Sequence, residues 1–136
     1  MTRFNVLLLS ALLALSACAT NWPLQNLKPT VSVREAHQMA KKRNVLLIDV
    51  READEVQEQA YNMRHAVNIP LSEIESRLAE VPKDKILVMA CRSGRRSQQA
   101  YDILQANGFK NITNMEGGML DWEANGLPVT KNTNKN

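Results

Sequence analysis

The chain has 136 residues, 17 basic and 14 acidic, for a net charge of +3. That balance gives no support to nucleic-acid binding, which draws on a strongly basic face. With two cysteines the chain is not a disulfide scaffold, and two histidines without ligand spacing make no case for a metal.

In chain order, Arg3 is followed by an apolar segment over residues 4–15, interrupted only by Asn5 and Ser10. This is short for a bilayer span and has the form of a signal-peptide apolar region. It ends in Leu15-Ser16-Ala17-Cys18, which resembles the bacterial lipobox. The resemblance implies a signal peptide over residues 1–17 and a diacylglyceryl anchor on Cys18. An ordinary signal peptide is the alternative reading, since Ala17 and Ala19 are also small. Ala19 stands where an aspartate would favour retention at the inner membrane, so the resemblance points to the periplasmic side of the outer membrane. The anchor would contribute roughly 0.8 kcal/mol per buried methylene. Without Arg3 the charge falls to +2, from 16 basic and 14 acidic residues.

Residues 18–30, with Pro23 and Pro29, read as a tether in which Trp22 and Leu24 could pack on the domain or on headgroups. About 110 residues then remain, enough for one small domain with a core; its expected limits are residues 31–129. Residues 30–33 predict a short strand. Ser32 and Glu35 form a capping box that opens a helix reaching about Arg43, with Lys41-Lys42-Arg43 in its last turn. Ala36, Met39 and Ala40 give its apolar face.

Val45-Leu46-Leu47-Ile48 suits a strand buried on both faces, ending in Asp49-Val50-Arg51. Residues 54–60 predict a short helix, and Ala66-Val67-Asn68-Ile69-Pro70 a strand stopped by proline. Ser72 and Glu75 predict a second capping box, with Ile74 and Leu78 facing inward. Residues 86–90 form the next apolar strand. Residues 98–105 are helical, stopped by Asn107-Gly108. A last strand is expected over residues 109–114, then a turn at Met115-Glu116-Gly117-Gly118 and a short helix holding Trp122 as a core residue. His37 reads as a solvated helix residue, and His65 as one that could approach the site. Residues 130–136 read as a disordered polar tail.

Alternating strands and helices predict an α/β sandwich with a largely parallel sheet. Ligand sites in such sheets lie at the carboxyl ends of strands. At one such end stands Cys91-Arg92-Ser93-Gly94-Arg95-Arg96-Ser97. Its glycine permits a sharp turn. Helix N-terminal N–H groups and three arginines favour a thiolate at Cys91, lowering its pKa from about 8.5 to roughly 3.5–7.5. If Cys18 is lipidated, Cys91 has no internal disulfide partner.

Four motifs in order, Ile48-Asp49-Val50-Arg51, Asn68-Ile69-Pro70, residues 91–97 and Glu116-Gly117-Gly118 with Trp122, resemble those of a single-domain rhodanese. The resemblance covers residues 31–129. It implies a three-layer sandwich: a central, mostly parallel five-stranded sheet with helices on both faces. It also implies a sulfurtransferase without cofactor or metal, whose partners are a small sulfur donor and a thiophilic acceptor. Cys91 would carry the sulfur as a persulfide, taken from thiosulfate and passed to cyanide or a thiol. The N–H groups of Arg92, Ser93, Gly94, Arg95, Arg96 and Ser97 would form a nest around it. Arg92 and Arg95 would bind sulfonate oxygens, Arg96 would fix the loop through carbonyl or carboxylate contacts, and Ser97 would cap the helix. Asp49 and Arg51 would build an internal framework. One segment departs from the family pattern: residues 59–66 lack the two glycines of Gly-His-Ile-x-Gly-Ala.

Cys91 and Arg96 have four residues between them, whereas the related cysteine phosphatases place five there to widen the loop for phosphate. The shorter loop fits a sulfur atom. The reading from another class is a membrane-tethered module that carries or senses sulfur, or docks a partner, without turnover.

Overall fold

A computed structural model describes residues 27–133. The expected signal peptide, Cys18, Trp22, Leu24 and the end of the expected tail lie outside the described residues. Among the described residues, five parallel strands form one sheet in the order β1-β6-β5-β2-β4. These are β1 (Thr30–Val31), β2 (Val45–Asp49), β4 (Ala66–Asn68), β5 (Ile86–Ala90) and β6 (Ile112–Met115). A separate antiparallel pair joins β3 (Gln59–Tyr61) to β7 (Val129–Lys131).

Strand β5 shows why the sheet is central. Its five residues are all buried, and successive side chains alternate between faces. Ile86, Val88 and Ala90 join one core cluster with Val33, Ala36 and Met39 of α1 (Val33–Met39) and Met119 and Trp122 of α4 (Gly118–Ala124). Leu87, Met89 and Cys91 join the other, with Ala100 and Leu104 of α3 (Arg95–Ala106) and with Ile74. The result is a three-layer α/β sandwich, the expected architecture. It places Cys91 at the carboxyl end of β5, on the α3 face.

The Ser32–Glu35 capping box is present, with reciprocal bonds of 3.2 and 2.9 Å. Several boundaries differ from the sequence reading. Helix α1 stops at Met39, so Lys41-Lys42-Arg43 lies in the following turn and not in the helix. Helix α2 covers Ala53–Glu58, because Gln59 and Ala60 pair with Lys131 and Thr130. Thr130 and Lys131 therefore belong to a strand rather than to a tail. Ser72 caps nothing: residues 75–80 form a 3-10 helix, and the Ser72 hydroxyl donates to Glu52. Phe109 precedes β6, which runs on to Met115. His65 stands at the amino end of β4, opposite the edge where Cys91 lies, and its carbonyl accepts the Leu47 N–H at 2.9 Å. His37 is half-buried and sets its ring edge-on against Trp122, 5.4 Å between centroids.

Candidate active site

Cys91 is a buried free thiol, 1 % exposed. The Gly94 N–H donates to its Sγ at 3.0 Å, and the Ser97 Oγ lies 3.4 Å away. Burial alone pushes the thiol up. The Ser97 hydroxyl and the N–H groups of Ser97, Gly94 and Ser93 outweigh that, and the Cys91 pKa lies below its ordinary value. The loop is an anion nest: successive N–H groups converge where helix α3 begins.

Helix α3 starts three residues before the periodic apolar pattern does. Its N-cap is Gly94, at φ +99°, with no side-chain cap. Ser97 therefore does not cap the helix. It sits in the first turn, fully buried, with its hydroxyl beside the thiol. The first N–H groups of a helix lack partners within it, and here the sulfur takes one of them.

The three loop arginines point to different tasks. Arg96 donates both Nη groups to the Glu55 carboxylate of α2, at 2.6 and 2.8 Å. The Arg96 bond and, after it, the Glu52 N–H hold the Glu55 carboxyl at a pKa of about 2 against its burial. Arg92 and Arg95 are both exposed and line different clefts. Arg92 lines one of about 490 Å³ with Arg51 and Lys131 and with the carboxylates Glu55, Glu58 and Glu123. Arg95 lines another of about 470 Å³ with Ser93, Gln98 and Asn114.

Behind the loop, Asp49 and Arg51 form a buried ion pair, with Nη2 2.6 Å from Oδ2 and Nε 3.0 Å from both carboxylate oxygens. Burial opposes the Arg51 charge, but Asp49 keeps its pKa above the ordinary value. Asn68 donates to the carbonyls of both residues at 2.8 Å, which ties β4 to the end of β2. On the other side, the first N–H groups of α4 close over the loop: Met119 donates to the Cys91 carbonyl at 2.9 Å and Leu120 to that of Arg92 at 3.1 Å. A Cβ on Gly118 would overlap the Arg92 carbonyl group, so this approach requires glycine.

Three participants escaped the sequence reading. Glu55 lies on a helix with no buried residue, where its local role is to accept the Glu52 N–H at the helix start. Asn114 donates to the Gly94 carbonyl at 3.3 Å and to Gln98 at 3.1 Å. Tyr61 donates its phenol to the Cys91 carbonyl at 2.5 Å, from within the segment that lacks the family glycines. That departure was the available signal for Tyr61.

Residues 32–125 match the rhodanese-like domain, and the chain belongs to that family. A sulfurtransferase of Allochromatium vinosum is 35% identical over 94 residues, covering 69% of this chain and 86% of that protein. A thiosulfate sulfurtransferase of Coxiella burnetii is 28% identical over 106 residues, covering 78% and 95%. The crystal structure of a rhodanese-related protein from Thermoplasma volcanium superposes with a TM-score of 0.67 at 28% identity, covering 76% of this chain and 98% of that one.

Proposed function

We propose that the protein is a sulfurtransferase that takes a sulfane sulfur from thiosulfate, or a donor like it, through a Cys91 persulfide. The Cys91 thiolate attacks the outer sulfur of the donor. A new S–S bond forms at Cys91 as the donor's own S–S bond breaks, and sulfite leaves with that bond's electron pair. Cyanide or a thiolate then attacks the outer sulfur of the persulfide, and the electron pair returns to Cys91. Splitting the transfer in two gives a ping-pong scheme.

One observation carries this reading: the Cys91 sulfur sits within reach of the Gly94 N–H and the Ser97 hydroxyl, which favour an anion there. Such donors are already oriented when charge arrives, so they stabilise it without reorganisation. Arg92 and Arg95, exposed in separate clefts beside the loop, are the residues to receive the donor's sulfonate. Arg96 is committed to Glu55 and serves the loop. The name of the Coxiella burnetii relative supports thiosulfate as donor.

The test is thiocyanate formation from thiosulfate and cyanide. Wild-type protein is expected to form it and Cys91→Ser not to; a wild-type rate equal to that of the serine variant refutes the reading. The 1 % exposure of Cys91 favours a second reading, a sulfur carrier without useful turnover. It predicts a persulfide that forms but is not discharged to cyanide or small thiols. We also propose lipid attachment at Cys18, on the periplasmic side of the outer membrane. Metabolic labelling with a fatty acid, lost in Cys18→Ala, tests this.

A further inference from the structure

Tyr61 is in the β3 strand, outside the main sheet, 30 residues along the chain from Cys91, whose backbone carbonyl it reaches. The side chain is nearly buried. Its ring lies edge-on to Trp122, with centroids 5.0 Å apart, and the Arg51 guanidinium stands 5.2 Å from its centroid. Trp122 is itself fixed by an indole bond to the Pro128 carbonyl at 2.9 Å. The phenol oxygen therefore has a set position, and from it the O–H donates to the Cys91 carbonyl. Burial, then the nearby Asp49 charge, keeps this phenol protonated and a donor throughout the working pH range.

The Cys91 carbonyl thus has two donors, Tyr61 and the Met119 N–H. The peptide unit that follows Cys91 is planar and trans, so its N–H points away from the side that holds its carbonyl oxygen. Fixing the oxygen toward Tyr61 keeps its negative end from turning onto the sulfur.

We infer that Tyr61 is a positioning residue for the sulfur transfer: its phenol holds the Cys91 carbonyl outward, so that the loop turns N–H groups and not carbonyl oxygen toward the reactive sulfur. This rests on the proposed sulfurtransferase reading, and its test separates the two. Tyr61→Phe keeps the ring against Trp122 and Arg51 and removes only the donor. The charged groups around the phenol and thiol, Asp49, Arg51, and Arg96 with Glu55, are unchanged by it.

Iodoacetamide labelling of Cys91 is followed across pH by peptide mass spectrometry, which resolves it from Cys18. In a second arm, sulfur loading from thiosulfate is timed at a pH below the labelling midpoints of both proteins. Tyr61→Phe is expected to move the labelling midpoint up by about half a unit or more and to slow loading about five- to tenfold. A variant with a lower melting temperature but the wild-type labelling profile makes the phenol a packing group and overturns the inference. If Tyr61→Phe does not fold, fluorotyrosine placed at position 61, a stronger donor, decides instead. A downward midpoint shift supports the inference and an unchanged one overturns it. Wild-type protein that labels normally but loads no sulfur refutes the sulfurtransferase reading, while the labelling arm still decides the role of Tyr61.

Discussion

Gly118 stands so close to Arg92 that a Cβ on it would overlap the Arg92 carbonyl group, and the two backbones fix each other. Helix α4 begins at this contact and sends its first N–H groups to the loop carbonyls. Gly118→Ala is therefore expected to displace the loop. Its φ of +56° adds about 1–2 kcal/mol of backbone strain for alanine. Sulfur loading should fall by about tenfold to a hundredfold, because the Arg92 carbonyl must move to admit the Cβ and the donors around the sulfur are misplaced with it. Gly108→Ala is the control: its φ is +86°, nothing lies within 4 Å of the added Cβ, and it should lose stability while loading normally. Thermal denaturation and loading kinetics on both variants check this.

Ser97→Ala removes the hydroxyl at 3.4 Å from the sulfur, a donor that lowers the thiol pKa. The pH profile of persulfide formation should shift to higher pH. Variant and wild type should converge at pH above both midpoints, where each thiol is ionised. Below both midpoints the loss is expected to be about three- to tenfold, the equivalent of one hydrogen bond.

Glu55→Gln breaks the charge of the pair with Arg96, whose side chains are each 31% exposed. The Glu55 pKa in the folded protein is about 2, below its ordinary 4.5. A depressed carboxyl stabilises the fold above its ordinary pKa, and that stability is lost as pH falls through the folded value. Wild type should exceed Glu55→Gln by about 1 kcal/mol at pH 6, given this exposure. The difference should disappear between pH 4.5 and about 2. Denaturant melts at pH 6, 4 and 2 measure it.

Asp49→Asn leaves a guanidinium 4 % exposed without its counter-charge. Breaking a buried pair in this way costs about 3–5 kcal/mol. The expected result is a large loss of stability measured by denaturant, larger than that of any loop variant. Asp49→Asn combined with Arg51→Met should recover part of it.

How much of this was legible in the sequence depends on how local the signal was. The run at residues 86–90 fixes β5, and its alternation puts Cys91 on the α3 face, so the place of Cys91 at the end of its strand could be read directly. The start of α3 could not. The first-turn residues Arg95, Arg96 and Ser97 show no apolar period, and the cap is a glycine whose own N–H bonds to a sulfur. The β3–β7 pair is equally hidden. Three-residue strands carry little pattern, and the two partners are far apart in the chain. Glu55, Asn114 and Tyr61 reach the loop only through tertiary packing, which no spacing within their own segments encodes.

The account stands on an anionic sulfur held at Cys91, and one measurement addresses it most directly. Purified protein is incubated with thiosulfate, and the peptide containing Cys91 is weighed before and after cyanide. The account predicts a gain of one sulfur atom on that peptide, absent in Cys91→Ser and removed by cyanide with release of thiocyanate. A peptide whose Cys91 reacts with iodoacetamide but gains no sulfur from thiosulfate contradicts it.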